Sequence, residues 1–199
     1  MWIGAGVALL LFVVIVINAN RKIIWIAEPE LGILNLNGLS AEEMLGKDRD
    51  SIHSVFYSIT ESTGAAPKCD VLLLYATINP DGVLQGSEYS LRQIIAQSGA
   101  KIVIVASENS PEHYRAALNL PGEGHANLML TIDRRGWIFF TFISRLFEII
   151  ATGISMPVAW VRLAPQRPGM DHEDCPSALF LCETGGVTFK HVRGFLRLP

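Results

Sequence analysis

The chain has 199 residues, of which 50% are hydrophobic and 18% charged, and its formal net charge is −3. This length suits one domain with a sizeable core plus an appendage, and the negative balance argues against nucleic acid as a partner. The three cysteines, Cys69, Cys175 and Cys182, are an odd number without a CxxC pair. A disulfide framework is therefore disfavoured, and reduced thiols in a cytosolic compartment fit better.

Residues 2–17 form an apolar run without any charge. A membrane-spanning helix needs roughly 17–25 such residues, so the run is at the short end of that range. Trp2 suits one membrane interface, and Arg21 and Lys22 suit the other. Because basic residues follow the run and none precedes it, the positive-inside rule places the rest of the chain in the cytoplasm. We therefore expect a transmembrane anchor over residues 1–20 that contacts the membrane through residues 2–17; a buried helix is the alternative.

A juxtamembrane helical and linker segment is predicted over residues 21–67. The apolar residues 23–26 either extend the first helix or form an edge strand. Ser40 and Glu43 have capping-box spacing, which predicts a short helix from Ala41 to about Gly46. A second helix is predicted by four apolar residues at helical spacing, namely Ile52, Val55, Phe56 and Ile59, although the pattern in this region does not exclude strands. Residues 61–67 resemble a linker.

Residues 68–199 are predicted to form an α/β domain. Strands are predicted at residues 71–76, 101–106, 127–132 and 157–163, and helices at residues 88–97, 111–119 and 137–152. Ser87 is the predicted cap of the first of these helices, and Ser110 that of the second. Residues 177–183 and 187–192 are predicted to pair as an antiparallel hairpin. The alternation predicts a Rossmann-like, doubly wound and mostly parallel sheet with this hairpin at its C-terminal end.

Polar side chains follow the predicted parallel strands. Ligands bind open parallel sheets beyond the carboxyl ends of the strands, so residues there are candidates for ligand binding. The predicted ligand-binding residues are Asn79, Asp81, Glu108, Asn109, Asp133 and Arg134. Carboxylates mixed with arginine suit a small polar molecule. The alternative is a rim of helix caps and surface ion pairs.

A cysteine nucleophile is the second candidate site, with Cys182 near the end of a strand and His125 upstream as its base. The stretch Cys182-Glu183-Thr184-Gly185 resembles the nucleophile segment of the caspase-like CHAT proteases over these four residues. Phe180-Leu181 replaces the Ser-Ala that precedes it in that family, and Ala126 follows His125 where the family has glycine. Cys182 is also explained as a small buried strand residue.

Other chemistry is not indicated. Residues 171–175 contain several potential metal ligands, but they lack the spacing of zinc or calcium loops and are predicted to form a solvated acidic turn. No P-loop, nucleophile elbow, HExxH or complete GxGxxG motif is present, and no cofactor is predicted. We therefore expect a membrane-anchored cytoplasmic domain that binds a small polar ligand or a protein partner. The alternative is a hydrolase that uses Cys182 with His125.

Overall fold

A computed structural model describes residues 23–46, 49–131, 136–164 and 178–190. Within these ranges no helix has both the length and the apolar character needed to cross a membrane. The transmembrane helix predicted over residues 1–20 lies outside the described residues and stays a prediction.

In the described ranges, eight strands form two sheets. Their bounds are β1 Ile24–Ile26, β2 Glu30–Asn35, β3 Ser58–Ser62, β4 Val71–Tyr75, β5 Ile102–Ala106, β6 Asn127–Thr131, β7 Ala178–Cys182 and β8 Val187–Phe189. The larger sheet has six strands in the order β3-β2-β4-β5-β6-β7. Its first five strands are parallel, and β7 pairs antiparallel with β6. The α/β fold with a mostly parallel sheet is thus confirmed.

Helices cover both faces of this sheet. They are α1 Ala41–Leu45, α2 Arg49–His53, α3 Leu91–Ser98, α4 Pro111–Asn119, α5 Gly136–Ala151 and α6 Met156–Leu163. The apolar residues of α1, α2, α5 and α6 join one buried cluster, and those of α3 and α4 join another. Strand β4 separates the two clusters, because Leu73 faces the first and Leu72 the second. Burial on both faces explains the unbroken apolar sequence of β4.

Helix α3 begins later than the sequence predicted. Ser90 is its N-cap, and Ser90 and Gln93 form a reciprocal capping box. Ser87, the predicted cap, instead accepts a hydrogen bond from the Tyr89 backbone N–H at 3.0 Å, within the preceding turn. Gly99 ends the helix in the left-handed conformation, as predicted. The capping box predicted at Ser40 and the N-cap predicted at Ser110 are also present.

The strand predicted over residues 157–163 is wrong, because this segment is helix α6. Pro157 lies in its first turn, where the missing N–H costs no hydrogen bond. The buried side chains are Met156, Ala159 and Trp160, at helical rather than alternating spacing. Two valines and a tryptophan gave the segment a strand-like composition, but the position of the proline and the burial period favour a helix.

The predicted C-terminal hairpin is also wrong, since its two strands belong to different sheets. Strand β7 joins the edge of the large sheet, whereas β8 pairs parallel with β1 in a separate two-stranded sheet. The Asn127 side chain stabilises the turn between them. It donates to the Gly185 carbonyl at 2.7 Å and accepts from the Thr184 hydroxyl at 3.2 Å. Of the two alternatives for residues 23–26, an extension of the first helix or an edge strand, the structure has the strand, as β1 over Ile24–Ile26.

The large sheet extends across the boundary predicted at Lys68. Strand β2 precedes that boundary and lies between β3 and β4, with Leu31 opposite both Ile59 and Val71. The second predicted helix is shorter than expected, because α2 ends at His53 and Ile59 lies in β3.

A chain that begins at Lys68 is therefore expected to lose cooperative unfolding, because it lacks β2 and β3 and exposes the edge of β4. Thermal unfolding followed by far-UV circular dichroism measures this, with a chain that begins at Ile23 as the control. Equal midpoints for the two chains would contradict the central role of β2.

Candidate functional site

The connections that leave β2 and β4 diverge to opposite faces of the sheet. Strand β2 leads to α1 and α2, which pack on one face, whereas β4 leads to α3, which packs on the other. These two strands are parallel neighbours, so their carboxyl ends meet at one edge. Parallel α/β sheets commonly bind ligands at such a divergence, and we call the region between these two loops the crevice.

Asn37 bridges this crevice. Its side-chain oxygen accepts hydrogen bonds from the backbone N–H and the hydroxyl of Thr77, at 2.9 and 3.3 Å. Its side-chain nitrogen donates to the Ser107 hydroxyl at 3.4 Å. One amide thus connects the carboxyl ends of β2, β4 and β5. Asn37 and Thr77 are half-buried, whereas Ser107 is 5% exposed. We call Asn37, Thr77 and Ser107 the crevice triad.

The predicted ligand-binding residues in the described ranges follow β4 and β5 at this edge, and Asp133 and Arg134 lie outside those ranges. Asn79 accepts a hydrogen bond from the Gln85 side chain at 2.9 Å. Asp81 accepts one from the backbone N–H of Val83 at 3.2 Å. Glu108 is exposed.

Asn109 connects the loops that follow β4 and β5 from a buried position. It is 2% exposed, its oxygen accepts from the Ile78 N–H at 2.7 Å, and its nitrogen donates to the Ala76 carbonyl at 3.1 Å. The same nitrogen lies 3.3 Å from the Tyr114 hydroxyl. Burial raises the pKa of Tyr114 to about 12, so this phenol stays protonated at neutral pH. Asn109 therefore positions the crevice loops, and its hydrogen-bonding groups are occupied by the protein.

The described loops at this edge carry negative charge. The connections at residues 36–40, 76–90 and 107–110 contain Asp81, Glu88 and Glu108 and include neither lysine nor arginine. The hydroxyl and amide groups of the crevice triad are polar, uncharged and hydrogen-bonded to one another. Neighbouring carboxylates repel anions, so these loops suit a neutral or cationic molecule better than a phosphate.

Cys182 and His125 have different partners. The Cys182 thiol packs against the cluster formed with α5 and α6 and lies 3.6 Å from the Gly185 carbonyl. His125 is exposed, and its Nδ1 lies 3.6 Å from Glu183, which pairs with Arg92 of α3 on the other face. The contacts among the described residues include no hydrogen bond between the thiol and the imidazole. The pairing that a cysteine nucleophile requires is absent from this part of the chain.

The remaining thiol in the described ranges is Cys69, which is buried. Burial raises its pKa to about 12, so it is protonated at neutral pH. A Cβ at Gly32 would stand 2.6 Å from its sulfur, which shows how closely β2 packs on it. Among the described residues, no group of three histidine, cysteine, aspartate or glutamate side chains could hold a metal ion. The acidic segment at residues 171–175 lies outside the described ranges.

Sequence reasoning missed an ion pair between Arg92 and Glu183. The two side chains form a bidentate pair at 2.7 and 2.8 Å, and both are largely buried. Arg92 also donates to the Gly124 carbonyl at 3.0 Å, and Glu183 accepts from the Ala126 N–H at 3.2 Å. A Cβ at Gly122 would stand 2.3 Å from the Cβ of Arg92, so the glycine-rich turn is shaped to pack on α3. This cluster connects α3 to β7.

A cavity of about 320 Å³ lies at the carboxyl end of β2, on the side where β3 lies and away from β4. It is lined by Ile33, Asn35, Met44, Glu61, Ser62 and Thr63. Asn35 is paired with the backbone of Leu39 through both ends of its amide, at 2.7 and 3.1 Å, and Glu61 forms an ion pair with Arg49. The sequence signalled none of this, because β3 was predicted as helix and linker.

Asn109→Ala is expected to lower the free energy of unfolding by about 1–3 kcal/mol, because it leaves the Ile78 N–H and the Ala76 carbonyl without their partner. Chemical denaturation measures this difference. Asn79→Ala, at an accessible position in the same region, is the matched control and should change stability by less than about 0.5 kcal/mol. Equal losses for the two variants would contradict the buried bridging role of Asn109.

Comparisons with protein-family models, curated protein sequences and solved structures found no match to this chain. The function is therefore inferred from the geometry of its own residues.

Proposed function

We propose that this chain is a membrane-anchored α/β domain that binds a small polar molecule in the crevice between β2 and β4. The observation that carries the proposal is the divergence of the loops after these strands, with the crevice triad at their meeting point. A doubly wound sheet binds its ligand where the strand order reverses. Here the chain runs from β2 to β3 on one side and from β4 to β5 on the other, so the order reverses between β2 and β4.

The chemistry of the crevice favours binding over catalysis. The Ser107 hydroxyl lies 3.4 Å from the amide nitrogen of Asn37, and an amide cannot remove a proton to make the serine a nucleophile. Hydroxyl and amide groups instead recognise sugars, nucleosides or other polar molecules by hydrogen bonding. The carboxylates in the surrounding loops favour neutral or cationic ligands.

The proposed anchor is the apolar run at residues 2–17, with Arg21 and Lys22 on its cytoplasmic side. It would hold the binding domain at the inner surface of a membrane. A domain held in this way meets a diffusing cytoplasmic ligand while remaining close to partners in the same membrane.

The full-length chain is expected to remain in the membrane fraction after washing with high salt and with carbonate, because a spanning helix is held by its apolar surface. Protease added to intact cells should leave the C-terminal domain undigested. Release by carbonate would overturn the integral anchor, whereas digestion from outside would reverse the orientation.

Thr77→Val is expected to weaken ligand binding by about 2- to 10-fold, which corresponds to the loss of one hydrogen bond from the crevice triad. Saturation-transfer NMR on the detergent-solubilised chain would measure binding to a panel of sugars, nucleosides and polyamines. Any member that binds is then titrated against the wild type and the variant.

Two controls accompany this titration. Thr60→Val makes the same change at an exposed position on β3 and should leave affinity unchanged. Cys182→Ala should also leave binding unchanged, whereas under the hydrolase alternative it would abolish the turnover of any ligand that the chain hydrolyses. If Thr77→Val combined with Ser107→Ala binds every ligand as the wild type does, the crevice is not the binding site.

A further inference from the structure

We infer that the outer surface of β1 and α6 rests against the lipid headgroup region of the membrane that holds the N-terminal anchor. This surface consists of Ile23, Trp25, Val158 and Val161, and we call it the β1–α6 surface. The inference rests on the proposed anchor and adds to it a contact between the folded domain and the bilayer.

Strand β1 is apolar on both sides. Ile24 and Ile26 pack against the cluster formed with α5 and α6, which accounts for its inner side. On its outer side Ile23 is 49% exposed and Trp25 is 54% exposed. The pairing of β1 with β8 does not cover these outward side chains, because strand pairing uses the backbone.

The two outward side chains of β1 lie over the turn that leads into α6. The Trp25 ring has its Cζ3 4.0 Å from the position of a Cβ at Gly153. A Cβ at Gly186 would stand 3.2 Å from Ile23 and 3.6 Å from the Cβ of Ser155, which is the N-cap of α6. The exposed apolar residues of β1 therefore neighbour the start of α6.

Helix α6 continues this apolar character. Its inner residues are buried, but Val158 and Val161 are 46% and 44% exposed. They are three residues apart and share one side of the helix, where exposed Arg162 lies beside them at its C-terminal end. Of the seven large hydrophobic residues found exposed in the described ranges, three thus belong to β1 and α6, and a fourth, Ile23, directly precedes β1. Grouping of this kind marks an interaction surface rather than scattered surface residues.

The short connection between the apolar run and Ile23 favours the bilayer as the partner of the β1–α6 surface. Only residues 18–22 separate the apolar run from Ile23. Even fully extended, the chain from Ile17 to Ile23 spans at most about 21 Å, and as a helix it would span about 9 Å. The headgroup region is roughly 5–8 Å thick on each side of the bilayer. A helical connection would thus place Ile23 and Trp25 at about the outer limit of the headgroup region, where tryptophan is favoured, and even an extended one would keep them within about 21 Å of the hydrocarbon core.

The alternative is that the N-terminal apolar run itself packs on the β1–α6 surface. A helix over residues 2–17 would be apolar on all sides, so packing one side on the β1–α6 surface would leave the others in water. A bilayer covers both the helix and the β1–α6 surface. Exposed Glu28 and Glu30 follow β1 and mark where the contact ends.

The test uses the full chain reconstituted in phosphatidylcholine vesicles, some of which carry lipids brominated near the headgroup. Tryptophan emission is recorded for the wild type, for Trp25→Phe, and for Trp25→Phe combined with Tyr89→Trp. The last variant restores the number of tryptophans but places one on the α3 side of the sheet, at a position that is 45% exposed. Thermal unfolding confirms that each variant is folded.

Brominated lipid is expected to quench tryptophan emission more strongly in the wild type than in Trp25→Phe. Adding Tyr89→Trp to Trp25→Phe should not restore this quenching. Iodide in the aqueous phase should quench the Tyr89→Trp tryptophan but not Trp25. This pattern supports the bilayer contact.

Two other results would overturn it. If the chain resists carbonate extraction but Trp25 is quenched by iodide and not by brominated lipid, the anchor stands and the β1–α6 surface does not touch the membrane. If carbonate releases the chain and Trp25 is protected from both quenchers, the N-terminal run covers the surface, and the anchor and the contact are both wrong.

Discussion

Burial of β4 on both faces is the constraint on which the rest of the structure depends. Every residue of this strand is fully buried, and its side chains alternate between the two apolar clusters. A strand of this kind is stable only between two layers of helices, since fully burying each large apolar side chain contributes about 1.5–3 kcal/mol. The chain must therefore supply helices to both faces. It does so by sending the connection after β2 to one face and the connection after β4 to the other, which creates the crevice.

The polar character of the crevice follows from the same geometry. Where parallel strands end and their connections diverge, backbone groups lose their ladder partners, and burying them unpaired is costly. Asn37 and Asn109 satisfy such groups: Asn37 accepts from the Thr77 N–H, and Asn109 joins the backbone of residues 76 and 78. Asn109 is almost fully enclosed and serves the fold, whereas Asn37 is half-buried, so the proposed ligand could reach it. The difference in burial is the reason that Asn37, and not Asn109, is part of the proposed site.

The sequence predicted the features that depend on neighbouring residues, such as helix caps, and missed those that depend on residues far apart in the chain. Ser110 followed by Pro111, and Gly99 after α3, predicted the helix ends they form because caps act within a few residues. The antiparallel partner of β7 lies more than 40 residues earlier, at β6, and the partner of β8 lies at β1. Pairing over such distances leaves no mark in the local pattern, so the short turn at Gly185 and Gly186 suggested a hairpin instead. For the same reason Asn37 was missed as a site residue: its importance comes from Thr77 and Ser107, which the fold brings to it.

The crevice and the β1–α6 surface lie at different parts of the domain, and the chain direction explains why. Strand β1 leads through a short turn to Glu30, where β2 begins, so the N-terminal segment enters the large sheet at its amino edge. The crevice lies beyond Asn35, at the other end of β2. At about 3.3 Å per residue, the strand carries the chain roughly 15–20 Å between these points. If the bilayer contacts β1, the crevice opens away from the entry of the anchor, and its amide and hydroxyl groups face the aqueous phase. Anchoring and ligand binding would then use separate surfaces, so neither would have to compromise the other.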